Sequence, residues 1–283
     1  MPKALQFTNL SYVFLVNLFS RRDNYMNNVH YPLLGIIGGT GWPSTEVYLK
    51  KIPRRVQERL GGLNSPNIVF QSRNFAQIDG WMHEGDWEAV TSCLAEMALQ
   101  MKRGSNIDSL AVLSNTLHKV APKVAEIAGV PLIHIGSCAA QTVIDQSIER
   151  VGFIGTKFTM QEDFVLKHFR GRGIKVFTPP TASMDEIDRI IFNELCQNEF
   201  KDESRDFLFL QVAKMIERYK IKGVILGCTE LGLTMTDQHW VKYCGSNIIV
   251  LRKIWDATAI PIIDATDCHI ETIVDYLCNS IKA

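Results

Sequence analysis

The 283-residue chain lacks a C-x-x-C pair, an excess of either charge, and any uninterrupted apolar run of the ~18 residues that a membrane helix needs. Each absence removes a class of function. With 30 Lys and Arg against 30 Asp and Glu, the formal net charge is zero. Coating of nucleic acid and docking on acidic membranes both rest on a broad basic surface, and are argued against. The seven cysteines (Cys93, Cys138, Cys196, Cys228, Cys244, Cys268 and Cys278) are odd in number and scattered. That spacing suits neither a structural zinc site nor a disulfide framework, and it points to a reducing, cytoplasmic setting. What is present is a globular composition. Hydrophobic residues make up 46% and charged residues 21%, enough for a packed core and too little charge for disorder.

Residues 1–30 stand apart. An apolar stretch from Leu10 to Phe19 is followed by Arg21 and Arg22, the reverse of the charge order in a secretory signal, and no small-residue cleavage site follows. The segment reads as an accessory extension or as a misassigned start. From Tyr31 onward the text is regular. Leu33 to Ile37 is a buried-strand run ending in Gly38-Gly39-Thr40-Gly41, and Pro43 and Ser44 open a helix from Thr45 to Leu60. Strands are expected over Asn67–Gln71, Ser109–Leu113 and Pro131–Ile135, with helices over Trp87–Met101 and Leu117–Ala128.

The pattern then repeats. Val151 to Thr156 is a strand running into a turn, with a helix over Met160–Arg170, and Lys222 to Gly227 is a strand breaking at Cys228-Thr229-Glu230. The interval from Gly38 to Ser114 nearly equals that from Gly155 to Cys228, and Pro131-Leu-Ile-His134 is echoed by Pro261-Ile-Ile-Asp264. The expected fold is therefore α/β: two similar lobes, each a mainly parallel sheet flanked by helices, related by a pseudo-twofold about an interlobe cleft. Residues 31–135 with 250–283 are assigned to the first lobe and 136–249 to the second. Ser114 and Cys228 then hold equivalent strand-end positions, where open α/β sheets place ligands. They approach one ligand from opposite faces. A cysteine at a strand-to-helix turn is expected to have a lowered thiol pKa, and the free N–H groups of 115–117 and 229–231 to hold carboxylates. Two bases flanking one carbon are what 1,1-proton transfer requires.

Gly38-Gly39-Thr40-Gly41-Trp42-Pro43-Ser44-Thr45, Ser114-Asn115-Thr116-Leu117-His118-Lys119-Val120, the stretch from Thr156 to Phe164, and Gly227-Cys228-Thr229-Glu230 together resemble the aspartate/glutamate racemase family. The nearest branch is that of bacterial broad-specificity amino-acid and L-aspartate/L-glutamate racemases. Ile187 to Cys196 and Pro261 to Asp264 share the likeness, which runs from Leu33 to the C-terminus with an insertion around 237–258. The resemblance implies two lobes, an interlobe site, no pyridoxal phosphate or other cofactor, a substrate that is aspartate, glutamate or a related amino acid, and a homodimer. It maps the two-base pair onto Ser114 and Cys228. Many relatives carry cysteine at both positions and some of the nearest branch threonine at the first, so the serine is a departure, because a hydroxyl is a far weaker base than a thiolate. The first turn departs as well: Thr40, Gly41 and Pro43 stand where relatives often have Met, Ser and Glu.

Further candidates follow. Gly39 and Thr40 offer backbone N–H groups, Asn115, Thr116, Thr156 and Thr229 contact a carboxylate, and Glu230 binds the ammonium or caps a helix. Arg73, beyond the second strand, is a candidate carboxylate clamp, and Lys167 a candidate for the distal carboxylate or a solvated lysine. His118, one helical turn after Ser114, either relays a proton to it or is structural, and Ser114 also suits an ordinary N-cap. The glycines of the first turn weakly match a dinucleotide fingerprint, but no acidic residue ends the next strand, so that reading is discarded. Against the racemase stand a single-cysteine decarboxylase or isomerase of the same superfamily, and a lapsed enzyme that binds acidic amino acids.

Overall fold

The computed structural model describes residues 30–236, 238–239 and 260–279. The expected extension, apart from His30, and most of the 237–258 insertion lie outside them. The first half runs β1 (Leu33–Gly38), α1 (Trp42–Leu60), β2 (Asn67–Ser72), α2 (Phe75–Glu84), α3 (Trp87–Ser105), β3 (Ser109–Val112), a 3-10 turn (Thr116–Lys119), α4 (Ala121–Ala128), β4 (Leu132–Ile133) and α5 (Ile135–Asp145). The second half runs β5 (Arg150–Gly155), α6 (Lys157–Gln161), α7 (Asp163–Arg170), β6 (Lys175–Phe177), α8 (Thr181–Asn193), a 3-10 turn (Leu195–Gln197), α9 (Asp202–Tyr219), β7 (Gly223–Gly227), α10 (Leu231–Thr234), β8 (Ile262–Asp264) and α11 (Ala265–Asn279).

The strands form two four-stranded parallel sheets of matching order, β2-β1-β3-β4 and β6-β5-β7-β8. The duplication inferred from spacing is thus a duplication of topology. In each sheet the two central strands, β1 and β3 or β5 and β7, end side by side where successive crossovers diverge, and a crevice opens at such a point. Alternation along β1 and β3 serves both faces of the first sheet. Ile37, Leu110 and Val112 pack under α3 and α4, whereas Leu34, Ile36, Ala111 and Leu113 face α1 and α11. In the second sheet β5 and β7 close tightly beside Phe153, because Gly227 has no side chain: a Cβ there would lie 2.0 Å from the Phe153 ring.

Three expectations are amended. The helix expected over Leu117–Ala128 starts only at Ala121 after a separate 3-10 turn, with Pro122, which has no N–H to give, in its first turn. The helix expected over Met160–Arg170 is two helices, parted at Glu162, whose backbone is extended. The segment 250–283, assigned to the first lobe, is divided in its described part. β8 pairs with β7 in the second sheet, while α11 lays Ile270, Ile273, Val274 and Leu277 against Leu34, Ile36, Tyr48 and Ile52 of the first lobe. The first half does the converse. β4 belongs to the first sheet, and α5 after it buries Ile135, Ala139, Ala140 and Val143 in the core of the second lobe. Each lobe therefore lends its last helix to the other. Among the described residues no helix is long and apolar enough to cross a membrane.

Candidate active site

Four strand ends converge on one cleft. Thr40 follows β1, Ser114, Asn115 and Thr116 follow β3, Thr156 follows β5, and Cys228, Thr229 and Glu230 follow β7. All of them line a cavity of about 20 Å³, room for about one water molecule. The cleft is shut by direct contact between lobes: the Thr116 and Thr156 hydroxyls meet at 3.0 Å. Thr156 also caps α6, accepting the Thr159 N–H at 3.4 Å.

Cys228 and Glu230 form a buried pair. The thiol donates to Glu230 Oε2 at 3.1 Å, and the Thr229 hydroxyl donates to the same oxygen at 2.6 Å. Burial, then the Glu230 carboxylate, push the Cys228 thiol well above its ordinary pKa, and burial raises that of Glu230. The lowered thiol pKa expected from a helix dipole is not found. α10 spans only Leu231–Thr234, too short to offset burial beside a carboxylate. The other oxygen, Glu230 Oε1, is buried without a hydrogen-bond partner among the described residues, as are both amide atoms of Asn115 and the Thr40 hydroxyl. Buried polar groups are normally satisfied, so several orphans lining one cleft mark what a polar ligand would supply.

Ser114 is half-buried at the head of its turn. Its hydroxyl lies 3.4 Å from the Leu117 N–H, the geometry of an N-cap. His118 does not reach that hydroxyl. Its Nδ1–H donates to the Ser114 carbonyl at 2.7 Å, and its Nε2 accepts the Ile135 N–H at 3.2 Å, so the ring ties the Ser114 turn to the start of α5. Of the two readings of His118, relay or structural, this geometry fits the structural one. Burial lowers its pKa to about 4. It belongs to a cluster of imidazoles, edge-on to the His134 ring at 4.5 Å and to that of His269 at 5.8 Å, with His134 in turn tilted against His168 at 4.0 Å. Tyr48 donates to His269 Nδ1 at 3.0 Å, and His269 Nε2–H to the Ile133 carbonyl at 2.9 Å.

Gly39, Arg73 and Lys167 are not part of the cavity lining. The Gly39 N–H is spent on Thr45 Oγ1 at 2.9 Å. Arg73 turns to the Ser72 carbonyl at 3.2 Å and to Gln100 at 3.3 Å. Lys167 is exposed on α7. Conversely, Phe75 and Met82 of α2, Ile191 and Phe192 of α8, and Cys196 line the cleft without having been singled out. Their spacing is that of any amphipathic helix, and the one available signal was that Ile187–Cys196 shares the family likeness.

A family profile described as Asp/Glu/Hydantoin racemase matches residues 37–273. The chain belongs to that family. An Asp/Glu racemase candidate from Yersinia pestis is 32% identical, with 87% of this chain and 99% of that one covered and a TM-score of 0.73. An aspartate racemase homologue from Pyrococcus horikoshii OT3 is 26% identical over 87% and 98% of the two chains, with a TM-score of 0.68. The aspartate racemase of Picrophilus torridus, 14% identical over 87% and 94%, has a TM-score of 0.62 and shares the fold. The racemase-family fold is the two-lobed architecture described above.

One substitution probes how closely the lobes meet. Gly41 has φ of +103°, and a Cβ there would lie 2.1 Å from Glu230 Oε1 across the cleft. Gly41→Ala is expected to cost about 1–3 kcal/mol through backbone strain and displacement of the carboxylate. Thermal unfolding checks it, with a melting point lower by several degrees as the expected result.

Proposed function

We propose that the chain is an amino-acid racemase that uses no pyridoxal phosphate and inverts Cα by transferring protons between two side chains. The observation that carries this reading is that Ser114 and Cys228, at equivalent strand ends of the two lobes, line the same cavity. The α-carboxylate is received by Asn115, Thr116 and Thr229, and the ammonium by the free Oε1 of Glu230. One base takes the Cα proton from its face, and the opposite group returns a proton to the other face, so charge and atoms balance without a further reactant. At rest the sulfur is the protonated partner, held so by burial beside Glu230. An entering ammonium neutralises that carboxylate and eases the thiol toward the thiolate, which couples binding to activation. The serine makes the two faces unequal, so kcat and KM differ between the enantiomers while kcat/KM stays equal, as an equilibrium constant of one requires. The same reading includes the cytoplasmic setting and the homodimer expected from the sequence, the latter open to light scattering.

The test is incubation with amino acids of both configurations in deuterated buffer, followed by NMR and chiral chromatography. Label at Cα with inversion is the expected result; no label with any amino acid rejects the reading. Ser114→Cys is expected to raise the rate by about tenfold or more, by placing a stronger base on the weak face.

One observation favours a second reading, a single-cysteine decarboxylase or isomerase. The Ser114 hydroxyl has the Leu117 N–H beside it, and His118 is engaged with the Ser114 carbonyl instead. Protonation of an enolate from one face needs Cys228 alone. Product analysis with malonate-like and maleate-like acids separates the two.

A further inference from the structure

The lining of the cleft is polar at the four strand termini and apolar in the part that the helices supply, termed its apolar end. Phe75 and Met82 from the first lobe face Ile191, Phe192 and Cys196 from the second. The apolar end is braced. The Phe192 ring stands edge-on to His83 with centroids 5.2 Å apart, His83 to Phe158 at 6.0 Å, and Phe158 to Trp87 at 5.4 Å. The cations on the surrounding elements are engaged or turned away. Arg73 holds Ser72 and Gln100, Lys119 pairs with Glu162 at 2.7 Å, Arg189 with Glu186 at 2.7 Å, and Lys167 is exposed.

The charges acting on Cys196 are negative. Besides burial, the carboxylates of Glu230, Asp79 and Asp188 all push the Cys196 thiol upward. A substrate carboxylate placed there would face those charges and an apolar wall, with no cation among the described residues of the lining. Burying an unpaired charge is costly. A cationic side chain is no better served. Glu230 is committed to the ammonium, and neither Asp79 nor Asp188 is part of the lining.

Building on the racemase reading above, we infer that the cleft takes an amino acid with a small, uncharged, apolar side chain. That side chain lies against Phe75, Met82, Ile191, Phe192 and Cys196, and the acidic side chains that the family name implies are discriminated against. The wall supplies dispersion and burial, the strand ends hold the ammonium and α-carboxylate, and nothing in the wall matches a second charge.

The test uses the full chain with alanine, 2-aminobutyrate, norvaline, aspartate, glutamate and lysine, each in both configurations, in deuterated buffer. The expected result is a kcat/KM for Cα exchange at least about tenfold higher for 2-aminobutyrate than for aspartate or glutamate, with Cys196→Arg narrowing or reversing that ratio. Faster exchange of aspartate, glutamate or lysine overturns the inference and leaves the racemase reading standing. Should nothing exchange, the racemase reading falls, and thermal protection by the same compounds decides the binding question separately. Protection by 2-aminobutyrate above that by aspartate, glutamate and lysine supports the apolar-side-chain site; the reverse order, or no protection by any of them, overturns it.

Discussion

Cys228→Ala is expected to lower Cα exchange and inversion by at least about a thousandfold while leaving the chain folded. Cys228 is nearly enclosed, at 4% exposure, at the end of β7, where the second lobe meets the cleft. Alanine keeps the backbone of that end and removes one buried atom, a loss of about 1 kcal/mol. Glu230 loses the thiol donor but keeps the Thr229 hydroxyl, so the carboxylate is not left wholly unpaired. A second thiol, Cys196, lines the same cavity, but it lies in the 3-10 turn after α8 and has no strand-end partner. The check is single-turnover exchange in deuterated buffer alongside thermal unfolding. A folded variant that still inverts Cα at a substantial fraction of the parent rate would remove the sulfur from the mechanism.

Acidification from neutral pH is expected to destabilise the protein steeply between about pH 6.5 and pH 4. In an unfolded chain histidine takes up its proton near pH 6.5. In the fold His118 does so only near 4 and His269 near 3, chiefly because burial opposes the charged ring. Between those limits the unfolded state binds more protons, so stability is complete above about 6.5 and falls as pH drops toward the folded values. For His118 alone the loss is about 3 kcal/mol. The imidazoles do not contribute additively, since each makes it harder to charge its neighbour. Asp264 works in the opposite sense. Its carboxyl is pushed up to about 6 by burial, so the folded state gains protons there over part of the same window and offsets some of the loss. His118→Gln isolates the histidine contribution. Melting points across pH 7 to 4 are expected to fall less steeply for the variant than for the parent, from a lower starting value. Parallel curves would show that the ring does not sense the proton.

The features legible in the sequence were those that punctuate it. Gly38 to Gly41, Ser114 to Thr116, Thr156 and Cys228 to Glu230 all sit where an apolar run stops, and strand ends are where parallel sheets collect polar groups. Seven of these residues line the cleft beyond the first turn, with Thr40 from that turn. Arg73 and Lys167 stand outside the cavity lining because the reach of a long cation depends on which partner its stem meets, and sequence order says nothing of Gln100 lying beside Arg73. Gly39 likewise lies outside the lining, and its N–H is already claimed by Thr45, a pairing that sequence order does not reveal. The thiol of Cys228 was expected on the wrong side of its ordinary pKa, since position at a strand end does not reveal burial or the reach of Glu230. The apolar wall was hidden because Ile191, Phe192 and Cys196 have the spacing of a helix that merely packs.

The exchange of last helices bears on how the protein can be cut. A break after Asp145 would leave the first sheet without α11 and the second without α5, exposing Leu34, Ile36 and Tyr48 on one fragment and Val151 and Phe153 on the other. Neither fragment is then an autonomous folding unit, although the two sheets look like separable modules. Co-expressed halves would have to find each other before either became soluble, and unfolding of the intact chain should proceed as one cooperative event.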